Sequence, residues 1–191
     1  MTDAAYFDAL YASSDDPWGL ASEPYEARKY ALTLAALPRA RYRRAFEPGC
    51  AIGVLTALLA RRCDELLSWD GASAAVTQAR KRVAGLGLGH VRLQQARVPG
   101  RWPAGAFDLV VVSELLYFLD SAERAALLER VTGSLEPAGQ LIAVHWRHAF
   151  DEASGDGDQA HAEVDRTPEL RRLVEHVERD FLLGVWERAG G

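Results

Sequence analysis

A glycine turn and an acidic residue beyond it could together bind a nucleoside. The turn is EPGCAIG, Glu47 to Gly53, which follows an apolar run and precedes a run with leucines at helical spacing. Glycines there let the backbone bend and approach a ligand closely. Asp70 ends the next strand-like run, where a carboxylate can accept hydrogen bonds from both hydroxyls of a ribose. The pair predicts a ligand crevice at the carboxyl ends of parallel strands.

The glycine spacing separates two kinds of nucleoside ligand. It matches neither G-x-G-x-x-G nor the phosphate-binding G-x-x-x-x-G-K. A pyrophosphate needs helix N-terminal N–H groups brought close by a third, well-spaced glycine, and this turn lacks it. S-adenosylmethionine carries no phosphate and makes no such demand. The alternative is a tight strand-to-helix turn that binds nothing.

Two of the five histidines stand in the segment HWRH, at the end of the apolar run LIAV. The carboxyl end of a strand in an open α/β sheet points into the ligand crevice. A neutral imidazole there can take a proton from an attacking nucleophile. We expect His148, which begins a loop, to contact the substrate. His145 is expected to point inward as a base, with a buried, hydrogen-bonded histidine as the alternative.

Two further candidates follow the apolar run FDLVVVSELL. Glu114 can attract an ammonium-bearing substrate or, alternatively, bind neighbouring backbone. Tyr117 can offer a hydroxyl to the same cavity or merely pack with Phe118 and Leu119. His161 lies in a predicted lid helix and is the last candidate.

Strands and helices alternate along the chain and position these residues. A leading helix opens near Glu23 and Pro24, where Ser22 can cap it, and Pro38 ends it. Residues 96–106 hold several glycines and prolines, so we expect a loop there. Uninterrupted apolar strands indicate a parallel sheet covered by helices on both faces. Five strands are predicted: RRAFEPG, ELLSWD, HVRLQQ, FDLVVVSELL and LIAVHW.

The last two strand-like runs, LRRLVEHVE and FLLGVWER, are separated only by Arg179 and Asp180. So short a connection joins antiparallel neighbours. We therefore predict a doubly wound, mostly parallel, Rossmann-like α/β sheet of seven strands with a C-terminal antiparallel hairpin, as in class I methyltransferases. Asp120 and Glu123 predict a capping box before the helix SAERAALLERVTGSL, and EPAGQ after it is expected to be a turn.

Composition excludes several classes of protein. The 191 residues, 49% hydrophobic and 26% charged, fit one folded domain. A net charge of -5 argues against nucleic acid as a partner. Cys50 and Cys63 lack zinc-binding spacing, so no metal is expected. Without a basic-then-apolar leader or an 18-residue apolar stretch, we expect a cytoplasmic protein without membrane contact. The oligomeric state stays open.

Longer segments resemble the nodulation protein S family of S-adenosylmethionine-dependent methyltransferases. They are DPWG, YEARKYALTLAALPRARYRRAFEPGCAIGVLT, RCDELL, FDLVVVSELLYFL and AVHWRH. The resemblance runs from about Tyr6 to His148, and GDQAH and FLLGVWER extend it more weakly. We assign one class I methyltransferase domain over residues 1–191. Its parts are a leading helical lid segment (1–38), a cofactor-binding core (41–146), and an acceptor loop with the closing hairpin (147–191).

The resemblance also implies roles for individual residues. Asp70, next to Gly71, would hold the ribose of S-adenosylmethionine. Ala96 and Arg97 would meet the adenine, and Ser113 with Glu114 would border the methionine part. The rest of the methionine site would be the glycine turn: Glu47, Gly49, Cys50, Ala51 and Gly53. Ala51 departs from the family pattern, which has Gly or Ser there.

Three residues before the first strand are assigned to the cofactor because a leading helix commonly lies over it in such enzymes. Arg28 can pair its guanidinium with the methionine carboxylate. Tyr25 stands three residues before it, on the same helix face, and Trp18 precedes both. The alternative is that Trp18 and Tyr25 pin the helix to the sheet while Arg28 is solvated.

Three functions remain open. The resemblance implies N-methylation of an amino group on an aminosugar or related saccharide, a small-molecule acceptor. A second function keeps the fold and the cofactor but methylates oxygen or nitrogen of a specialised metabolite. The third is a non-catalytic cofactor-binding protein, which would explain Ala51 and a disordered lid at DEASGDGD.

Overall fold

The computed structural model describes residues 4–190. Residues 1–3 and 191, which belong to the assigned domain, lie outside the described residues. Within the described chain, no helix combines the length and the apolar character needed to span a membrane. The described chain forms two compact units, residues 4–97 and 98–190, and each is described by itself. The assignment of a single domain stays a prediction.

The described part of the first unit is built from four α-helices and three strands. The elements are α1 (Ala4–Ser13), α2 (Pro24–Ala36), β1 (Tyr42–Pro48), α3 (Val54–Leu59), β2 (Cys63–Asp70), α4 (Ser73–Gly85) and β3 (Val91–Gln95). The strand order is β3-β2-β1, and both pairs are parallel, with Phe46 opposite Leu67 and Leu67 opposite Arg92. The leading helix and the three predicted strands of this unit are confirmed.

Two features of the first unit differ from the sequence prediction. The cap of α2 is Glu23 rather than Ser22, and its side chain makes no capping hydrogen bond. The backbone N–H groups of Ser22 and Glu23 both donate to the Gly19 carbonyl, so Ser22 belongs to the preceding turn. Pro24 then starts the helix, because its fixed φ suits the first helical position. The second difference is α1, which was not predicted.

The second unit contains two α-helices and four strands among its described residues. The elements are β4 (Phe107–Ser113), α5 (Ser121–Ser134), β5 (Leu135–Trp146), α6 (Gly157–Asp165), β6 (Leu170–Val177) and β7 (Phe181–Arg188). The strand order is β4-β5-β7-β6, with β4 and β5 parallel and the other two pairs antiparallel. Val110, Ile142 and Val185 on three of these strands are fully buried.

The second unit confirms the closing hairpin and the capping box. Glu123 N–H donates to the Asp120 carboxylate at 2.9 Å, and Asp120 N–H donates to the Glu123 carboxylate at 3.2 Å. No helix forms in residues 96–106, as predicted. The turn expected at EPAGQ is wrong, because these residues belong to β5. They form an irregular start of that strand, with Ala138 at φ 60° and a shift of register opposite Phe107 to Leu109.

These elements confirm the predicted fold class. Seven strands with helices between them and an antiparallel pair at the end make a methyltransferase-like α/β fold. The carboxyl ends of β1, β2, β4 and β5 carry the candidate site residues.

Candidate functional site

The glycine turn is a tightly bent connection between β1 and α3. Gly49 and Cys50 N–H both donate to the Trp69 carbonyl, at 2.7 and 3.0 Å. Gly49 and Gly53 have φ of 76°, in the left-handed region that favours glycine. Gly53 is fixed by space as well, since a Cβ there would lie 2.9 Å from the Cβ of Ala79. The turn therefore needs glycine at these two positions.

Asp70 connects the glycine turn to the start of α4. Its Oδ2 accepts the Ala51 N–H at 2.9 Å, and its Oδ1 accepts the Ala72 N–H at 2.8 Å. Burial raises the pKa of the Asp70 carboxyl above its ordinary value, and the two N–H bonds oppose that shift. Each oxygen still has acceptor capacity for a ligand hydroxyl, so the carboxylate fits the ribose role predicted for it.

Glu47 is the first residue of the same turn and is fully buried. Its Oε2 accepts hydroxyl bonds from Thr56 at 2.5 Å and Ser68 at 2.8 Å. Burial raises the pKa of the Glu47 carboxyl to about 7, against the lowering by these hydroxyls. The side chain thus joins β1 to α3 and β2 and supports the turn from within.

The remaining cofactor candidates of the first unit differ in exposure. Ala96 is buried, and its N–H donates to the Asp70 carbonyl at 2.9 Å. Gly71 and Arg97 are exposed. Both Gly71 and Ala96 are therefore next to Asp70: Gly71 follows it in the chain, and Ala96 is hydrogen bonded to its backbone.

The three cofactor candidates that precede β1, Trp18, Tyr25 and Arg28, also differ in solvent exposure. Arg28 lies on the exposed side of α2, whose buried residues are Glu26, Lys29, Tyr30 and Thr33. Tyr25 is half-buried. Trp18 is 40% exposed, and its ring packs on aromatic side chains of α1. These contacts are with α1 and not with the sheet, and the cofactor role of Trp18 stays a prediction.

Tyr11 packs beside the glycine turn and was not among the site residues predicted from the sequence. It is buried against Ile52 of the glycine turn and against Ala72 and Ala75 at the start of α4. Burial, and then the Asp70 charge, raise the pKa of its phenol well above the ordinary value. The helical spacing of Phe7 and Tyr11 was the signal that could have revealed it.

Glu114 and Tyr117 meet in the second unit, just after β4 ends at Ser113. Tyr117 OH donates to the Glu114 Oε2 at 2.5 Å, and Trp146 N–H donates to the same oxygen at 2.9 Å. Glu114 itself has φ of 53°, and its N–H donates to the Val144 carbonyl at 2.8 Å. Tyr117 also packs edge-on against Phe118, at 4.8 Å between ring centroids. Both roles considered for Tyr117 are thus compatible with its position.

His145 is fully buried beside this pair. Its Nε2 lies 3.1 Å from the Leu116 N–H, and its Nδ1 lies 3.2 Å from Nε2 of His161. Its ring packs edge-on against Tyr117 at 5.4 Å. With both ring nitrogens hydrogen bonded, this geometry favours the alternative of a structural histidine over a base.

The hydrogen-bond partner of His148 is Asp180 and not Glu114 or Tyr117. It is exposed, and its Nε2 pairs with the Asp180 carboxylate at 2.8 Å. Its ring lies 4.9 Å from that of Trp146. The structure therefore brings together Glu114, Tyr117 and His145, with His148 on the surface near the β6–β7 turn.

Comparison with known proteins decides the family. A family model described as Nodulation protein S (NodS) matches residues 9–179. The chain belongs to the nodulation protein S family. The nodulation protein S of Rhizobium tropici is 30% identical over 168 residues, which are 87% of this chain and 70% of that protein. Alignments with two further nodulation S proteins span 61% and 60% of their lengths.

Solved structures agree with this membership. A Pseudomonas syringae protein assigned as a methyltransferase is 48% identical, with a TM-score of 0.77 over 87% of this chain and 100% of that one. N-methyltransferase NodS from Bradyrhizobium japonicum, solved with S-adenosyl-L-homocysteine, has 23% identity and a TM-score of 0.79, over 97% of this chain and 98% of that one. The predicted nodulation S family, fold and methyltransferase class are confirmed.

Proposed function

We propose that this member of the nodulation S family transfers the methyl group of S-adenosylmethionine to an amino group of a small polar acceptor, of the aminosugar or saccharide class. The observation that carries the cofactor is the Asp70 carboxylate, held by two N–H groups beside the glycine turn. The observation that carries the acceptor is the Glu114 carboxylate with its Tyr117 partner.

The first unit would hold the cofactor without any phosphate contact. Asp70 supplies oriented acceptors for ribose hydroxyls, and the glycine turn supplies close backbone. The turn lacks the third glycine of a pyrophosphate site, which disfavours a dinucleotide. Cys50 in this turn is a buried thiol whose pKa is raised well above its ordinary value by burial, so it stays neutral. The residues present fit S-adenosylmethionine.

The second unit supplies the groups suited to an amine. Bound S-adenosylmethionine supplies an electrophilic methyl group on a positively charged sulfur. The amine must present its free electron pair in line with the breaking carbon–sulfur bond, so positioning is the main requirement. Glu114 carries the charge that attracts an ammonium group, and Tyr117 orients that carboxylate. Before transfer, the ammonium group would lose one proton to solvent or to a nearby carboxylate, which frees the electron pair. The sulfur would keep the electrons of the broken bond and leave as S-adenosylhomocysteine.

N-methylation is preferred over O-methylation for two reasons. The Bradyrhizobium japonicum relative is described as an N-methyltransferase. A hydroxyl acceptor also needs a strong base, and the inward histidine has both nitrogens engaged. A small-molecule acceptor and a cytoplasmic location belong to the same proposal. Methylation of another amine metabolite and cofactor binding without catalysis are the competing functions.

Methyl incorporation from labelled S-adenosylmethionine tests the acceptor. The panel pairs each deacetylated aminosugar oligomer with its N-acetylated form, which differs only in the free amine. We expect label in the free amines and none in the acetylated partners. Equal labelling of both forms would mean O-methylation, and labelling of neither would exclude the aminosugar class.

Calorimetric titration with S-adenosyl-L-homocysteine tests the cofactor site separately. Asp70→Ala should weaken binding about ten- to a hundredfold, the range for a lost hydrogen bond to a charged group. Asp64→Ala is the matched control, because Asp64 is an exposed residue of the same strand that pairs with Arg41. An unchanged dissociation constant in folded Asp70→Ala would contradict the site.

A further inference from the structure

The turn after β4 is strained and held in place from β5. Glu114 is a non-glycine residue at φ 53°, a backbone conformation that side chains disfavour. Three bonds fix the turn: Glu114 N–H to the Val144 carbonyl, Trp146 N–H to the Glu114 carboxylate, and Leu116 N–H to the His145 ring. Because Glu114 and Tyr117 both belong to this turn, its shape sets where their polar atoms lie.

Hydrogen-bond direction fixes the protonation of both buried histidines. Leu116 N–H can only donate, so Nε2 of His145 must carry a free electron pair. A neutral His145 then carries its proton on Nδ1, which lies 3.2 Å from Nε2 of His161 and donates to it. His161 must therefore accept at Nε2 and carry its own proton on Nδ1. A charged form of either ring would break this sequence of bonds.

His161 reaches this position from α6 and lines a cleft of about 210 Å³ between α6 and the β6–β7 hairpin. Its ring packs edge-on against the buried Trp186 of β7, at 5.5 Å between centroids. The charged and titratable groups around it come from every neighbouring element. These groups are Asp158 and Asp165 on α6, His145 on β5, Arg147 just after β5, and Arg172, Glu175 and His176 on β6.

We propose that His145 and His161 form a positioning pair, in which His161 holds His145 as the Nδ1–H tautomer so that its Nε2 anchors the turn carrying Glu114 and Tyr117. His161 touches neither of these two residues in its hydrogen bonding and acts through His145. The kinetic part of this inference rests on the proposed function, because Glu114 and Tyr117 are the residues proposed to bind the amine that accepts the methyl group.

Ring-nitrogen NMR tests the pair without any acceptor. Long-range proton–nitrogen correlations of the full chain near neutral pH distinguish the two neutral tautomers and the charged ring. We expect both His145 and His161 as Nδ1–H tautomers. Replacing His161 by leucine should shift the His145 nitrogen resonances, whereas His176→Gln, from the same cleft, should not. A His145 proton on Nε2 would overturn the inference.

Two substitutions separate positioning from simple packing. His161→Gln keeps an acceptor for the His145 Nδ1–H, and His161→Leu keeps only the volume. We expect His161→Leu to raise the acceptor KM or lower kcat about tenfold, with the affinity for S-adenosyl-L-homocysteine unchanged. His161→Gln should recover most of that loss. Equal losses in both folded variants would overturn positioning through the hydrogen bond. If the wild type methylates no amine, the proposed function fails, and the NMR result still decides the histidine pair.

Discussion

Ala51, in the middle of the glycine turn, adopts φ of 47°. An alanine in the left-handed region costs about 1–2 kcal/mol relative to its preferred conformations. The Ala51 N–H, however, donates to the Asp70 carboxylate at 2.9 Å. The same carboxylate that is assigned to the ribose therefore also stabilises the strained residue.

Ala51→Gly should raise the free energy of unfolding by about 1 kcal/mol, because glycine adopts positive φ without the Cβ penalty. Urea denaturation measures the change. Ala57→Gly is the matched control: Ala57 lies inside α3, where the same exchange should lower stability by about 1 kcal/mol. A loss of stability in Ala51→Gly equal to the control would mean that the positive φ carries no strain.

At residue level, the sequence predicted where the glycine turn and Asp70 lie, because strand-end position and residue type suffice for that. Their role in cofactor binding stays a prediction. The engagement of His145 could not be predicted, because its partners Leu116 and His161 are distant along the chain. Tyr11 was missed because the spacing of Phe7 and Tyr11 is the main helical signal of this short segment, which lacks a cap and a long apolar period.

At the level of elements, β7 sets the order of the second unit. It pairs with β5 on one side and with β6 on the other. Gly184 in this strand faces the side chain of Trp186, which is fully buried and donates its indole N–H to Asp165 of α6 at 2.8 Å. The glycine therefore leaves the space that the indole ring fills.

Gly184→Ala should destabilise the protein by about 1–3 kcal/mol, the range for inserting a methyl group into a packed core. A Cβ at this position would overlap the Trp186 ring. Thermal unfolding followed by tryptophan fluorescence measures the effect, and Gly133→Ala, in open space on α5, is the control. If both variants unfold at the wild-type temperature, the contact between Gly184 and Trp186 is not tight.

Element boundaries were predicted where local chemistry dominates. Asp120 and Glu123 form the predicted capping box because both bonds are made within one turn. The proline and glycine of EPAGQ favour a turn, yet the segment belongs to β5, and its last residue, Gln140, pairs with Leu109 of β4. Pairing partners are set by distant residues, so neither this extension nor the place of β7 could be predicted from sequence.

For the molecule as a whole, two buried groups give opposite dependences on pH. His161 has its pKa lowered by burial from 6.5 to about 4, so the unfolded chain binds more protons between these values. Its contribution to stability is thus lost as pH falls from about 6.5 to about 4. Glu47 has its pKa raised from 4.5 to about 7, so its contribution is present at low pH and lost as pH rises through this window.

Between about pH 4.5 and 6.5 these two slopes have opposite signs, so each variant is compared with the wild-type profile. In Glu47→Gln, which can still accept the Thr56 and Ser68 hydroxyls, the free energy of unfolding should rise with pH by roughly 3 kcal/mol over this window. In His161→Gln it should fall by a similar amount. Urea unfolding of the three proteins at a series of pH values checks this, and parallel profiles would contradict it.

The outer edge of β6 affects whether copies of this chain associate through their sheets. Among residues 4–190, β6 pairs with β7 alone, so its other edge presents unpaired backbone groups. Such an edge can recruit a strand from another molecule. Arg171, Arg172 and Glu175 of this strand are exposed side chains engaged in ion pairs. A strand added there would reduce the exposure of three charged side chains to solvent, which disfavours association through this edge.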